Sequence, residues 1–454
     1  MNVQTRILPI TVIDSAQPVP AEAGHHHHDA GGEGPRSLGQ PAPCRLFVDD
    51  TAISEADIAR EMQHHRAMRP EQSRADAARA LVVRELLRRH REVLEADPRG
   101  APMVRNEIVA LSPSAEALQR VGSMGFSVGS RHVLEDLQLE VVILQAPPGV
   151  TTRRALQQLR RQDPAGSYDF NHIYLESGTA AAGPEAESGQ ERMATDGVAA
   201  GKVGLIDGGV LATQAVFAAT TIHEHGCDGK VVPTAHGTAV ASLLVGRAEV
   251  FHGAIPGAEL FAADVYCGAA AGGAVTAIAD AFAWLVREGI PVINVSLVGP
   301  PNVLLERVIR LATARGHIVV AAVGNDGPNA PPLFPAAYPE VIAVTGVDAR
   351  RRVLLEASRG SHVDFAAPGA NMAAAGLGTS WQVVRGTSFA APLVAGSLAR
   401  LLNAVDKDQA HAAVTTLAAR AIDLGSAGLD KVYGHGLVAE ELRAPEALAS
   451  SRHD

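Results

Sequence analysis

Cysteine is scarce: Cys44, Cys227 and Cys267 are the only three in 454 residues, too few for a disulfide framework and without metal-ligand spacing. One bridge between Cys227 and Cys267 and free thiols packed as small apolar groups are both open readings. No apolar run reaches bilayer length, so a membrane is not expected as a partner. Near the start, Arg6 precedes Ile7-Leu8-Pro9-Ile10-Thr11-Val12-Ile13 and then Asp14. That run is too short and too interrupted for a secretory h-region, and the compartment is left undeclared. An excess of positive charge is missing as well. The formal net charge of −10 gives no electrostatic reason to expect nucleic acid, and the arginines between Arg74 and Arg91 read as a solvated helix face.

What is present reads as several units. Residues 1–43, rich in Pro, Gly and Ala and carrying His25 to His28, read as a disordered tail; four adjacent histidines without a fold make no fixed coordination geometry. Residues 44–95 read as a helical leader, with Ser54 three residues before Asp57 and Ser73 three before Asp76 as caps, and with Val82 and Leu86 on one face. Between 104 and 176 the pattern alternates. An apolar Ile108-Val109-Ala110-Leu111 is followed by a helix opened by Ser112-Pro113 and carrying Leu118 and Val121. Strands at 133–137 and 140–144, a helix with Leu156 and Leu159, and a strand at 170–175 complete a β-α-β-β-α-β order, a split βαβ unit of ferredoxin-like topology. A Gly, Ala, Glu and Ser linker is expected at 177–201.

From 202 to 445 apolar strands and amphipathic helices alternate as a doubly wound parallel α/β sheet requires. Strands are expected at 203–206, 259–265, 292–297, 318–323 and 341–344. Their continuous Val and Ile content suits burial on both faces. Helices fall between, at 274–287 and 304–315.

Three segments in the last unit carry chemistry. Gly386-Thr387-Ser388-Phe389-Ala390-Ala391-Pro392 sets a serine where a strand becomes a helix. A serine hydroxyl needs a histidine to take its proton and a carboxylate to orient that histidine. Val203-Gly204-Leu205-Ile206-Asp207-Gly208 ends a strand in an aspartate, and His236-Gly237-Thr238-Ala239-Val240-Ala241-Ser242 opens a helix with a histidine. Asp207, His236 and Ser388 are therefore the expected catalytic residues, and sites in such sheets form at the strands' carboxyl ends. The helix start at Ser388 would aim N–H groups at a developing oxyanion, with Gly386 allowing close approach. Asn325, in Val323-Gly324-Asn325-Asp326-Gly327-Pro328, is the expected second donor. The His223-Glu224-His225 pair reads as a solvated turn rather than a metal site.

With the motifs in the order Asp, His, Asn, Ser, residues 202–440 resemble the catalytic domain of subtilisin-like (S8 family) serine peptidases. Further matches are Ile293-Asn294-Val295-Ser296-Leu297, Phe334-Pro335-Ala336-Ala337-Tyr338-Pro339, Ala366-Ala367-Pro368-Gly369 and Tyr433-Gly434-His435-Gly436-Leu437-Val438. The resemblance implies a serine endopeptidase whose polypeptide substrate lies along Ser296, Leu297, Val298, Gly299 and Gly324 as an added strand. Val298 stands where the family usually has glycine, which either narrows the pocket toward small residues or is harmless with the side chain turned away. The resemblance also implies that 104–176 is a propeptide that assists folding and inhibits the enzyme, with self-cleavage within 177–201. A monomer without a cofactor is expected; the family is mostly exported, yet no export signal is readable, so a misassigned start, unconventional export and work inside the cell are all open. No acidic loop has calcium spacing, although the family often binds calcium through irregular loops. Ala52-Ile53-Ser54-Glu55-Ala56-Asp57-Ile58-Ala59-Arg60-Glu61-Met62 and Ala80-Leu81-Val82-Val83-Arg84-Glu85-Leu86-Leu87 resemble the helical leader of parvulin-type prolyl isomerases, without the catalytic domain that follows it there. The rival reading is a binding protein, either a degenerate peptidase or a chaperone that holds peptides.

Overall fold

The computed structural model describes residues 70–182, 201–249, 251–269, 272–378 and 381–443. The tail, His25 to His28, Cys44 and the expected helix around Ser54 to Met62 lie outside the described residues.

The chain enters through helix α1 (Pro70–Arg89) and strand β1 (Leu94–Ala96). The helical leader thus gives way to a strand at its end, and Ser73 sits inside α1 rather than at its cap. The apolar face of α1 is Leu86 with Val83 and Leu87.

Strands β2 (Pro102–Leu111), β3 (Ser127–Leu134), β4 (Leu139–Gln145) and β5 (Ser167–Glu176), with helices α2 (Ala115–Ser123) and α3 (Thr152–Gln162), form an antiparallel sheet in the order β5-β2-β4-β3. This is the ferredoxin-like order. The expected strand at 133–137 is displaced: β3 stops at Leu134, and Glu135–Leu137 is a 3₁₀ turn. The N-cap of α2 is Ser114, whose side chain accepts from Ala117 N, and not Ser112. Alternation along the strands explains the packing. Ile108, Ala110, Val142 and Leu144 face Val121, Leu156 and Leu159 of the unit's own helices. Val109, Val141 and Ile143 face the other way, into the core of the large unit.

The large unit is built on a seven-stranded sheet of β7 (Lys202–Asp207), β8 (Ile222–His225), β11 (Glu259–Asp264), β13 (Val292–Val295), β15 (Ile318–Ala322), β16 (Val341–Val347) and β17 (Phe365–Pro368), after a short strand β6 (Thr179–Ala182). Its order is β17-β16-β15-β13-β7-β11-β8, and every pair is parallel. Short strands β9 (Arg247–Ala248), β10 (Phe251–His252), β12 (Gly273–Ala274) and β14 (Leu297–Val298) lie between, and β18 (Ala370–Ala375) pairs with β19 (Trp381–Arg385). Helices α4 (Ala235–Val245), α7 (Thr387–Ala399) and α8 (Lys407–Arg420) cover one face, with Val203, Leu205, Val320 and Ala322 beneath them. Helices α5 (Val275–Arg287) and α6 (Val303–Thr313) cover the other, over Ile206, Val319 and Ala321. Both faces being buried, the strands need the apolar runs that the sequence has. No helix among the described residues is long and apolar enough to cross a membrane.

The ferredoxin-like unit docks on α5 and α6. Asn302 caps α6 and also donates to Phe170 O at 2.9 Å and His172 Nδ1 at 2.9 Å, while Asp169 accepts from Val303 N at 3.0 Å. A carboxylate at a helix N-terminus satisfies N–H groups that have no partner within the helix.

Candidate active site

The chain leaves the centre of the sheet in opposite directions at β7, first toward β11 and β8 and later toward β13 and β15. Asp207 ends β7 at that crevice, where α/β sheets place their ligands. His236 is the second residue of α4, whose cap Thr234 accepts from Gly237 N at 2.9 Å. Ser388 is the second residue of α7, behind Gly386. The structure brings the three together. His236 Nδ1 donates to Asp207 at 2.9 and 3.0 Å, and its Nε2 lies 2.9 Å from Ser388 Oγ. All three side chains are fully buried. This leaves the Nε2 lone pair facing the hydroxyl, the tautomer needed to take its proton.

Pro392 lies inside α7 and has no N–H to give the carbonyl four residues earlier, that of Ser388. Ser296 supplies the missing bond: its Oγ donates to Ser388 O at 3.0 Å, and Asn294 Nδ2 donates to that Oγ at 2.8 Å. Ser296, which the resemblance places along substrate, here holds the turn at Ser388 through its side chain. Asn294 and Pro392 had no role in the sequence reading. Their signal was the unexplained proline four residues after the serine.

Asn325 is fixed by Thr387 N, which donates to its Oδ1 at 3.1 Å, while Gly324 N donates to Thr387 Oγ1 at 3.1 Å. The Asn325 Nδ2 group donates to Ser177 Oγ at 3.0 Å. This contact reveals what occupies the cleft. The end of β5 runs between β14 and β12 as an antiparallel strand, with Glu176 opposite Leu297, Leu175 opposite Val298, Tyr174 opposite Gly273 and Ile173 opposite Ala274. Beyond it, β6 pairs with β19. The expected linker therefore starts as a strand at 179–182, and only residues 183–200 lie outside the described part.

Close fits fix this strand in place. Tyr174 is fully buried and donates from its hydroxyl to Pro300 O at 2.6 Å. A Cβ at Gly299 would come within 2.5 Å of its ring, so the glycine is needed for the tyrosine to enter. Val298 is fully buried beside Leu175. A Cβ on Gly178 would lie 2.6 Å from Ser388 Oγ, and one on Gly386 would lie 2.7 Å from Gly178 Cα and 3.3 Å from Ser177 O. The Ser177–Gly178 peptide thus sits over Ser388 Oγ.

Helix α1 covers the strand's outer side. Leu86, Val83 and Leu87 pack with Ile173 and Leu175, together with Ala274 of β12. Arg79 pairs with Asp326 at 3.0 Å, next to Asn325. Burial pushes the Asp326 carboxyl up and the Arg79 charge opposes it.

A disulfide joins Cys227 to Cys267, closing the alternative left open by the sequence. His223 and His225 lie on the edge strand β8 and not in a turn. His223 pairs with Glu259 at 3.1 Å and stacks on Phe261, and His225 pairs with Asp280 at 2.7 Å and stacks on Trp284. Histidine, cysteine and carboxylate groups converge at two places among the described residues, Cys227 with Asp264 and Cys267, and Glu176 with Asp207 and His236. The first has its sulfurs bonded to each other and the second is hydrogen-bonded to Ser388, so we assign a metal to neither.

A model described as the subtilase family matches residues 199–436. The chain is 35% identical over 210 residues to subtilisin Savinase of Lederbergia lenta, spanning 45% of this chain and 76% of that protein. It is 31% identical over 255 residues to subtilisin DY of Bacillus licheniformis, spanning 54% and 90%. The alkaline protease of Alkalihalobacillus alcalophilus is 35% identical over 210 residues, spanning 45% of this chain and 54% of that protein. Among solved structures, fervidolysin from Fervidobacterium pennivorans, a keratinolytic enzyme related to subtilisin, superposes with a TM-score of 0.59 at 20% identity. That match covers 76% of this chain and 61% of the other, and supports a shared fold.

Proposed function

Because the chain belongs to the subtilase family of serine peptidases, we propose that it is an endopeptidase made as a self-inhibited precursor that cuts its own Ser177–Gly178 bond. One observation carries this reading: uncut chain from Ile173 to Gly178 lies in the cleft as an added strand, its Ser177–Gly178 peptide over Ser388. Recognition by backbone pairing is tolerant of sequence and suits polypeptide substrates.

The chemistry follows from the placement. Ser388 Oγ attacks the Ser177 carbonyl carbon while His236 Nε2 takes its proton, and Asp207 holds the imidazole and stabilises its positive charge. The tetrahedral oxyanion is received by the Ser388 N–H and Asn325 Nδ2. The latter moves from the Ser177 hydroxyl to the adjacent carbonyl oxygen, a shift of one hydrogen bond. His236 then gives its proton to the Gly178 amine, the Ser177 acyl group stays on Ser388, and water attacks it by the same route in reverse.

In this reading the unit 104–176 is the enzyme's intramolecular inhibitor, and the catalytic unit acts as a monomer without a cofactor. Fluorophosphonate labelling combined with N-terminal sequencing tests it. The parent should label and yield a new N-terminus at position 178, whereas Ser388→Ala should neither label nor be cut. An active parent that is never cut would sink the precursor reading, and a parent that binds peptides without labelling would replace the enzyme with a binding protein.

A further inference from the structure

The residue two before the proposed cut, Glu176, sits in unfavourable surroundings. One of its carboxylate oxygens, Oε2, is buried without a hydrogen-bond partner among the described residues. Its carboxylate lies within 4.8 Å of the ligand atoms of Asp207 and His236. Burial, with the charges of Asp207 and Asp264 beside it, pushes the Glu176 carboxyl well above the usual carboxylate range. A second buried atom in the same pocket, the Tyr266 hydroxyl, makes no well-formed hydrogen bond among the described residues and is approached by the Glu176 backbone, on a residue only 8% exposed. The charges of Glu176 and Asp207 both act on it.

Asp264 ends β11 as Asp207 ends β7, in register with it. Its oxygens accept from Val232 N, Tyr266 N and Cys267 N, each at 2.9 Å, so it is held rigidly by a loop that the disulfide also closes. Burial raises its pKa despite these donors. The groups facing Glu176 are thus Asp207 on β7, His236 on α4, and Asp264 and Tyr266 at the end of β11. Arg79 on α1 reaches Tyr266 electrostatically but is paired with Asp326. Such a pocket presents the carboxylates of Asp207 and Asp264, which repel a third carboxylate, while the Tyr266 hydroxyl can donate or accept and so favours neither charge.

We propose that Asp264 and Tyr266 are specificity residues, making this pocket prefer a cationic or amide side chain two residues before the cut, with Glu176 placed there as a poorly matched occupant that favours departure of the cleaved segment. This rests on the peptidase reading and names its substrate class: polypeptides with lysine, arginine or glutamine at that position. The sign for the precursor follows. A carboxyl whose pKa rises on seating is held fully below its free value, near 4.3, and its contribution is lost as pH climbs through the seated value. Grip on the cut segment should therefore weaken from acidic toward alkaline pH.

The test uses the full-length protein after self-processing and three quenched fluorescent peptides, Tyr-Leu-X-Ser-Gly with X as Glu, Gln or Lys. Ratios of kcat/KM at one pH cancel the enzyme's own ionisation. We expect the Gln and Lys peptides to exceed the Glu peptide at least about twentyfold at pH 8, narrowing to about fivefold at pH 5, where about a sixth of a free glutamate is protonated. Asp264→Asn should at least halve the pH 8 ratio. A Glu peptide within twofold of the Gln peptide at pH 8, or a ratio unmoved in Asp264→Asn, overturns the inference. The parent ratio alone decides if the variant does not fold. Hydrolysis without discrimination refutes this inference only, whereas no hydrolysis together with no labelling of Ser388 refutes the peptidase reading beneath it.

Discussion

Gly178 offers the sharpest probe of where the chain is cut. Its φ is +154°, a conformation that side chains of L-residues rarely adopt, and such backbone costs about 1–3 kcal/mol for a residue with a Cβ. The added methyl would also meet Ser388 Oγ at 2.6 Å, Phe389 Cε2 at 2.7 Å and Arg385 O at 3.3 Å. The serine could turn away, but only by giving up its bond to His236 at 2.9 Å, which would add about 1 kcal/mol. Gly178→Ala should therefore raise the barrier to self-processing by about 2–4 kcal/mol, slowing it by about 30-fold to 1,000-fold. The assay follows conversion of the purified full-length protein on a gel and identifies the new terminus by sequencing. Processing at the parent rate with a terminus at position 178 would refute the geometry. A parent terminus anywhere between 183 and 200 would refute the placement of the bond.

Asn325→Ala should lower kcat on an added peptide by about 10² to 10³ with KM little changed, a magnitude taken from a subtilisin and hence from a relative; an equal loss in both would point to substrate binding instead. Arg79→Ala leaves Asp326 buried beside Asn325 without its cation. Intermediate between exposed and buried pairs, this should cost about 1–3 kcal/mol of the grip of α1, seen as earlier onset of peptidase activity after processing, and an unchanged lag would exclude a strap role for α1. Replacing Cys227 and Cys267 together by serine opens a bridge spanning 40 residues. The chain-entropy estimate for such a loop is about 4 kcal/mol, so the midpoint of thermal unfolding should fall by about 10 °C in a unit of this size; a shift under about 2 °C would show that the loop is held without it.

The parts of the site readable from sequence were those where chemistry needs one residue type at a strand or helix end. Asp207, His236 and Ser388 each stood in such a place, and the apolar runs of β7, β13 and β15 had the continuous pattern of strands buried on both faces. Position-dependent features were not readable. Strand β3 begins with Ser127, Val128 and Gly129, exposed at the sheet's edge, so no apolar pattern marked it, while Leu137 is apolar because its turn packs into the core shared with α5 and α6. The 179–182 segment has linker composition and becomes a strand only because β19 pairs with it, a case of context overriding propensity. Histidines 223 and 225 looked solvated, yet an edge strand lets each stack on an aromatic ring on one side and meet a carboxylate. Asp264 carried no signal because its nearness to Asp207 comes only from the register of the adjacent strands.

In the proposed precursor, inhibition would follow from continuity. Strand β5 is one ten-residue strand whose first part pairs with β2 inside the ferredoxin-like unit and whose last part pairs with β12 and β14 in the cleft. A cut after Ser177 removes none of those hydrogen bonds, because every one lies before it. The product's acyl side therefore stays bound through the contacts that positioned the substrate, reinforced by the face of Val109, Val141 and Ile143 buried against α5 and α6 and by Tyr174 under Gly299. An ordinary peptide makes only the cleft contacts and leaves once it is cut. The same groove can then turn over foreign chains while remaining blocked by its own, and the balance shifts only if something in the cleft opposes the seated strand. Of the residues from Ile173 to Ser177, Glu176 alone is placed against like charges, which is why it, rather than the docking interface, is where release would begin.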